Sequence, residues 1–392
     1  MSKITMIGCD LHDRSMTLKV AVDKDNAIKK TFDTADVPEM IAWVNEFAER
    51  NQAPRIVFAY EASGQGFGLY DTLTEAGIEC YVLAPTHLAQ SAHRRKNKTD
   101  DKDAQMILDE VRGYLLGGRK LPKVWVPDPQ TRDDREPVRM RLELAQQRTR
   151  IKNQIRNLAK RNKLSFPAWF TRSGDWSKRS VQWLRDVAGG QAAELGSGAR
   201  SALGTLVNLH EKICEELRSL DRAIAALAKS DRYASRFRKL MLMPGVGTLS
   251  AMTFLTELGD LDRFANRRQL AAYLGLVPQV FESGERDDRK GHITHQGPAR
   301  VRHVLCQAAW AALRCSEKWK TTYDNIKRGM KKRSKIAIVA VMRRLAIAIW
   351  HTARSPEVDG LLEEIDQQKT SARAQQKGAA PLEDSINNHA TP

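Results

Sequence analysis

Three carboxylates stand close together in residues 98–104, KTDDKDA. Asp100 and Asp103 are three residues apart, so a helix that starts at Thr99 or Asp100 turns both toward one face, while Asp101 points elsewhere. Two acids on one helix face can hold a metal ion. The same residues also suit a helix N-terminus, where Thr99 or Asp100 caps the helix and the other acids favour its dipole. This stretch alone leaves both interpretations open.

Two further acids stand at the ends of predicted strands. Asp10 closes the first strand and Glu61 the fourth. Two divalent ions that bridge a phosphodiester carry four positive charges, which hard oxygen ligands must balance. Asp10, Glu61, Asp100 and Asp103 supply four negative charges, so together they predict a catalytic site for Mg²⁺ or Mn²⁺.

The elements that must position these acids follow from hydrophobic periodicity. Residues 4–11, 16–23 and 27–34 alternate as three strands joined by short polar turns, which predicts an antiparallel meander. Residues 38–50 and 66–76 are predicted helices, and residues 55–60 and 80–83 are predicted strands. With the helix at residue 100 the order is β-β-β-α-β-α-β-α. This α/β order resembles the RNase H-like fold of RuvC resolvases, in which acids from strand ends and a C-terminal helix meet around divalent ions.

Composition favours a polyanionic partner. The chain has 392 residues and a formal net charge of +17, with a pI near 9.7, and nucleic acid is the leading candidate for such a partner. A membrane is not expected, because no apolar run approaches the length of a spanning helix and the N-terminus lacks a signal-peptide core. Five scattered cysteines without a CxxC pair disfavour a disulfide framework or a zinc ribbon. We expect a cytoplasmic, nucleoid-associated protein whose domains span residues 1–125, 131–237 and 238–354, with a disordered tail over residues 355–392.

Residues 131–237 are predicted to form two long helices around an aromatic segment. Apolar residues spaced by three and four predict a coiled-coil pair, antiparallel or intermolecular, with an intramolecular hairpin as the alternative. Cations predict a basic face on the first helix, at Arg139, Arg141, Arg148, Arg150, Lys152, Arg156 and Lys160. The aromatic and basic residues 161–200 favour packing onto the hairpin over stacking of unpaired bases.

The C-terminal part carries a second set of candidate functional residues. The PGVG turn at residues 244–247 leads directly into a helix, a helix-hairpin-helix pattern in which Gly245 and Gly247 would let backbone N–H groups hold a DNA phosphate. Ser283 lies in a glycine turn among cations, which makes it a candidate nucleophile beside a phosphate-binding cradle. The predicted nucleic-acid contacts are Lys98, Gly245, Gly247, Arg286, Arg289, Lys290, Arg300 and Arg302.

These motifs together resemble one known family. GCDLH, YEASG and KTDDKDA, then MPGVG, DLDRFANRRQLAAYLGLVP, ESG and GHITHQGPARVRHVL are similar to the RuvC-like DEDD transposases of the IS110 insertion-sequence family. The resemblance covers about residues 4–115 and 238–350 and leaves residues 161–200 unmatched. Thr294-His295 departs from the lysine or serine-lysine that the family usually has after the serine turn.

The resemblance implies a recombinase of defined chemistry. Its four acids would hold divalent metal, its serine would attack DNA covalently, and homodimers would assemble into a tetramer. A structured noncoding guide RNA would pair with donor and target DNA. Because the acids and Ser283 lie in separate predicted domains, two protomers could build one composite site.

Two other functions remain open from the sequence. A RuvC-like junction resolvase would use the same acids but water as its nucleophile, and it would leave no protein–DNA adduct. A non-catalytic nucleic-acid-binding scaffold would bind without Mg²⁺-dependent activity, and the presence of all four acids argues against it.

Overall fold

The computed structural model describes residues 3–85, 100–170, 176–280 and 290–356. The chain divides into two compact units, Met1–Pro127 and Asp128–Pro392. The predicted tail, residues 355–392, lies outside the described residues from residue 357 onward.

The first unit is built on a five-stranded mixed sheet. Its strands are β1 (Ile4–Leu11), β2 (Ser15–Val22), β3 (Ile28–Asp33), β4 (Arg55–Glu61) and β5 (Glu79–Leu83), in the spatial order β3-β2-β1-β4-β5. Strands β1, β2 and β3 pair antiparallel, whereas β4 is parallel to both β1 and β5. The central strand is therefore β1, the strand that carries Asp10.

Helices cover both faces of this sheet. They are α1 (Val37–Arg50), α2 (Gly68–Glu75) and α3 (Asp100–Leu115). Side chains of α1 and α2 pack with Ile7 and Cys9 on one face. Helix α3 packs with Met6 on the other face. The observed order β-β-β-α-β-α-β-α is the order that periodicity predicts for this part of the chain.

The second unit is mainly helical. Its helices are α4 (Pro129–Arg161), α5 (Lys178–Ala188), α6 (Ser197–Leu227), α7 (Ala234–Met241), α8 (Thr248–Leu258), α9 (Arg267–Tyr273), α10 (Ala299–Cys315), α11 (Glu317–Lys327) and α12 (Ser334–Arg354). A short antiparallel ribbon is formed by β6 (Pro278–Val280) and β7 (Lys290–Ile293).

The two long helices α4 and α6 pack against each other within one chain. Ile155 of α4 shares an apolar core with Val207 of α6, and Arg141 Nε lies 2.8 Å from Asp221 Oδ1. The alternative of an intramolecular helical hairpin is therefore the arrangement in this structure. The aromatic segment packs onto the hairpin, which is the interpretation favoured from the sequence. Its residues Phe166, Phe170, Trp176 and Trp183 pack against the core of this hairpin.

Helix α12 corrects one expectation from the sequence. Residues Lys331–Arg354 are the one helical stretch, among the described residues, that is long and apolar enough by length and composition to cross a membrane. The expectation that no apolar run approaches the length of a membrane-spanning helix is therefore wrong. Half of its most apolar window is buried, and Val341, Leu345 and Ile349 lie in the main core of the second unit. Packing within that core accounts for the apolar composition of the helix.

Candidate functional site

Asp10 and Glu61 lie side by side at the carboxyl ends of neighbouring parallel strands. The register pairs Cys9 of β1 with Tyr60 of β4, so Asp10 and Glu61 are the next residues on each strand. Side chains alternate between the faces of a strand. Met6 on β1 and Ala59 on β4 pack on the α3 side, and the same parity assigns Asp10 and Glu61 to that side.

Helix α3 approaches this sheet edge closely because β1 carries a glycine. A Cβ atom on Gly8 would lie 2.3 Å from both Ala104 O and Leu108 N, far inside ordinary contact. Only a residue without a side chain lets the α3 backbone rest on β1 at this point. Since Asp100 and Asp103 are in the first turn of α3, this contact sets their height above the end of β1.

Asp10 and Asp100 meet around a histidine that was not among the residues predicted from the sequence. His12 Nε2 lies 3.1 Å from Asp10 Oδ2 and 3.4 Å from Asp100 Oδ1. One ligand atom from each of these three residues falls within 4.8 Å of the others. The sequence contains one signal that points to His12, namely its position. His12 lies two residues beyond Asp10 in the GCDLH motif, so the alternation of the strand places both on the same side.

Burial and the neighbouring carboxylates oppose ionisation of Asp10. Its pKa is raised, first by burial and then by the negative charges of Asp103 and Asp100, while His12 acts in the opposite direction. A carboxylate held close to other carboxylates is stabilised by a cation. Oxygen donors with one imidazole form a donor set that suits a divalent ion such as Mg²⁺ or Mn²⁺.

Asp101 has a different task from its neighbours. Its Oδ1 lies 2.9 Å from Lys19 Nζ of β2 and 3.8 Å from Lys29 Nζ of β3. The hydrogen bond from Lys19 lowers the pKa of Asp101. This acid therefore ties the start of α3 to the antiparallel half of the sheet.

A groove of about 720 Å³ lies beside the acids. It is lined by both turns that follow strand ends, with His12, Arg14, Ser63 and Gln65 among its residues. Gln65 Nε2 donates to Asp13 Oδ1 at 3.1 Å and so joins the two turns. The groove adjoins Asp10 through Leu11 and His12, the two residues that follow it.

The glycines of the PGVG turn occupy different surroundings. Gly245 has a φ of +82°, and a Cβ there would lie 2.4 Å from Ala312 N of α10. Gly247 is the N-cap residue of α8, and a Cβ placed on it would have no neighbouring atom within 4 Å. Gly245 thus lets α10 approach the turn, whereas Gly247 leaves the N-terminus of α8 open.

Only some residues of the predicted cationic cradle lie within the part of the chain that the structure describes. Arg302 Nη1 donates to Gln296 O at 2.7 Å, Gly297 O at 3.1 Å and Leu274 O at 3.2 Å, and burial lowers its pKa. This nitrogen of Arg302 holds the loop before α10. Arg300 is exposed, and Lys290 contributes its backbone to β7. Ser283, Arg286, Arg289 and Lys98 lie outside the described residues.

Two family models match separate stretches of the chain, and the first extends from the first unit into helix α4 of the second. A model for DEDD transposases of the IS110 group, described as transposase, matches residues 7–162. A model for transposases of the IS116/IS110/IS902 family matches residues 237–324. The first match contains all four acids and the second contains Ser283 and both glycines of the PGVG turn.

Several curated proteins are similar over most of this length. Protein y4qE of Sinorhizobium fredii is 30% identical over 255 residues, which cover 65% of this chain and 58% of that protein. Protein y4rJ of the same organism is 28% identical, covering 76% of each chain. The transposase for insertion sequence element IS1111A of Coxiella burnetii is 27% identical, covering 74% of this chain and 75% of its own.

The two family matches and these relatives define the class of the chain, which is a DNA transposase. The chain belongs to the IS110 family of these enzymes.

Proposed function

We propose that this chain cleaves and rejoins the DNA of an insertion sequence through a serine-linked intermediate. The observation that carries the proposal is the meeting of Asp10, His12 and Asp100 at one sheet edge, with Glu61 next to Asp10 and Asp103 close enough to raise the pKa of Asp10. The strand order and the position of α3 support an RNase H-like, RuvC-like assignment for the first unit.

The four acids are the proposed ligands of a divalent metal, Mg²⁺ or Mn²⁺. When bound, such an ion supplies a Lewis acid that lowers the pKa of a hydroxyl and stabilises the charge that develops on the phosphate. His12 bridges Asp10 and Asp100, since its Nε2 atom contacts both carboxylates. Arg14, on the adjoining groove, offers a cation to a neighbouring phosphate of the same strand.

Ser283 is the proposed nucleophile. Its Oγ forms a bond to phosphorus as the bond from phosphorus to a deoxyribose oxygen breaks. The proton of the serine hydroxyl is transferred to that deoxyribose oxygen, which leaves as a sugar hydroxyl. Attack by a sugar hydroxyl on the phosphoserine reverses these changes and rejoins the DNA. The energy of the phosphodiester is kept in the intermediate, so no external energy source is needed.

The proposed partners follow from charge and family. The net charge of +17 suits DNA and a structured guide RNA, both of which are polyanions. We also propose that homodimers assemble into a tetramer. The proposed location is cytoplasmic and nucleoid-associated.

A trapped adduct tests the nucleophile. Full-length protein, incubated with labelled nicked DNA that carries the element ends and with Mg²⁺, is expected to give a protein–DNA band that resists denaturation. Ser283→Ala removes the attacking oxygen and is expected to abolish this band, whereas Ser250→Ala, a serine on α8, keeps it. An adduct that survives in Ser283→Ala would show that another residue attacks. Cleavage without any adduct would favour a junction resolvase that uses water.

A further inference from the structure

The cations of helix α4 fall into two groups. In the first half, Arg139 makes a bidentate contact with Glu257, at 2.7 and 2.9 Å, and Arg141 is paired with Asp221. In the second half, four cations follow at intervals of four residues: Arg148, Lys152, Arg156 and Lys160. Across residues 3–85, 100–170, 176–280 and 290–356, none of these four is paired with an acid. The predicted basic face is therefore confined to the second half of α4.

This row of cations rests on an aromatic base. Lys152 Nζ lies 5.2 Å and Arg156 Cζ 5.9 Å from the centre of the Trp176 ring. The same ring packs against Phe170, at 5.8 Å, and His210, at 4.9 Å. Since neighbours cover the ring, it offers no platform for an unpaired base. It holds the two cations in place, which lowers the entropy cost of using them in binding.

The cations of this row repel one another. The pKa of Lys152 is lowered, first by burial and then by Arg148 and Arg156. The pKa of His210 is lowered to about 4, by burial and then by Lys152 and Arg148, so the imidazole adds no charge at neutral pH. Binding of an anion would relieve this repulsion.

Acids on the neighbouring part of α6 already have partners. Glu211 accepts from Arg185 at 2.6 Å, and Glu215 and Glu216 lie 3.0 and 3.2 Å from Lys212 Nζ. The row is thus left to an external partner.

We infer that Arg148, Lys152, Arg156 and Lys160 bind the phosphate backbone of duplex DNA without reading its sequence. Residues four apart rise about 6 Å along a helix, so the row extends about 18 Å. Four residues exceed one turn of 3.6 residues by about 40°, so the row also winds by about 120° around α4. Phosphate contacts of this kind position a protein without specifying bases. The covered Trp176 ring argues against single strands, whose bases need exposed aromatic faces.

The inference rests on the chain being a DNA transposase. It does not depend on the proposed metal site or on Ser283 as the nucleophile. The family matches end at residue 162 and resume at residue 237. Trp176 and His210, which support the row, therefore lie in a segment that neither family match covers. We propose duplex DNA and not duplex RNA as the partner of this row, because DNA is the substrate of the family.

The test is the salt dependence of DNA binding in full-length protein. Fluorescence anisotropy with a duplex of about 30 base pairs and unrelated sequence, in EDTA, excludes any contribution from cleavage. Each phosphate contact adds about 0.9 to the slope of log affinity against log salt concentration. The variant Arg148→Gln/Lys152→Gln/Arg156→Gln is expected to lower that slope by about 3 and the affinity at 0.1 M salt by about tenfold or more. The matched variant Arg222→Gln/Lys229→Gln/Lys318→Gln loses three exposed charges elsewhere in the same unit and is expected to change the slope little.

Three outcomes would overturn the inference. They are an unchanged slope in the row variant, an equal loss in both triple variants, and a loss confined to an RNA duplex of the same length. If the row variant is poorly folded by circular dichroism, Lys160→Gln decides the matter, because its exposed side chain is expected to account for a slope change of about 1. Because EDTA removes metal-dependent chemistry, these binding results stand whether or not the proposed cleavage mechanism holds.

Discussion

Asp10→Asn is expected to reduce DNA strand cleavage by about a thousandfold or more while DNA binding is retained. Asparagine keeps the shape of the side chain and removes the charge that a divalent ion requires. Loss of several kcal/mol of charge stabilisation in the transition state corresponds to an effect of this size. Single-turnover cleavage of labelled element ends measures it, and Asp36→Asn, an exposed acid in the same unit, is the control.

The same substitution is expected to stabilise the metal-free protein at neutral pH. Burial and the charges of Asp103 and Asp100 raise the pKa of Asp10 in the folded state. For a carboxyl with a raised pKa, the stabilising contribution is present below its unfolded pKa and is lost as pH rises through the folded pKa. Thermal melts in EDTA should therefore show the advantage of Asp10→Asn over the unsubstituted protein growing from pH 4 to pH 7. An advantage that shrinks over this range would contradict the assigned environment of Asp10.

Gly8→Ala is expected to impair the site without touching any acid. Its Cβ would lie 2.3 Å from backbone atoms of Ala104 and Leu108, so α3 must move away from β1. Overpacking of this kind costs about 1–3 kcal/mol of stability. A displacement of about 1 Å of catalytic groups can cost about a hundredfold in rate. We therefore expect a lower melting temperature together with a cleavage rate reduced by about a hundredfold.

Gly68→Ala provides the matched control for Gly8→Ala. Gly68 begins α2 in the same unit, and no atom lies within 4 Å of a Cβ placed there. We expect near-normal cleavage and stability from this variant. If Gly8→Ala also cleaved DNA normally, the close contact of α3 with β1 would not be what positions Asp100 and Asp103.

The first unit was largely predictable because its chemistry follows the alternation of its strands. The predicted first strand, residues 4–11, has the bounds of β1, and Asp10 and Glu61 lie at adjacent strand ends as their positions in the sequence indicate. The contact between His12 and Asp100 was not predictable, because the two residues are 88 apart in sequence and meet only through packing of α3. The contact of Asp101 with Lys19 depends on the same packing.

The second unit shows where a helical pattern is insufficient. The spacing by three and four that predicts the second long helix includes Leu206, Leu209 and Ile213. In the structure Leu209 is 49% exposed, while the neighbouring His210 is 3% exposed. Residues spaced by three and four fit two adjacent faces equally well, and only the partner helix decides which face is buried. Gly245 likewise has a role that depends on a distant element, since α10 packs against it.

The most direct test of the metal centre is a titration of the full-length protein with Mn²⁺, in which electron paramagnetic resonance measures the free ion. The unsubstituted protein is expected to bind Mn²⁺ saturably, and Asp100→Asn and Asp103→Asn to lose at least about tenfold in affinity. Asp101→Asn keeps an oxygen that can accept from Lys19 and is expected to bind Mn²⁺ normally. Normal binding by Asp100→Asn and Asp103→Asn, or an equal loss in Asp101→Asn, would contradict the proposed metal centre.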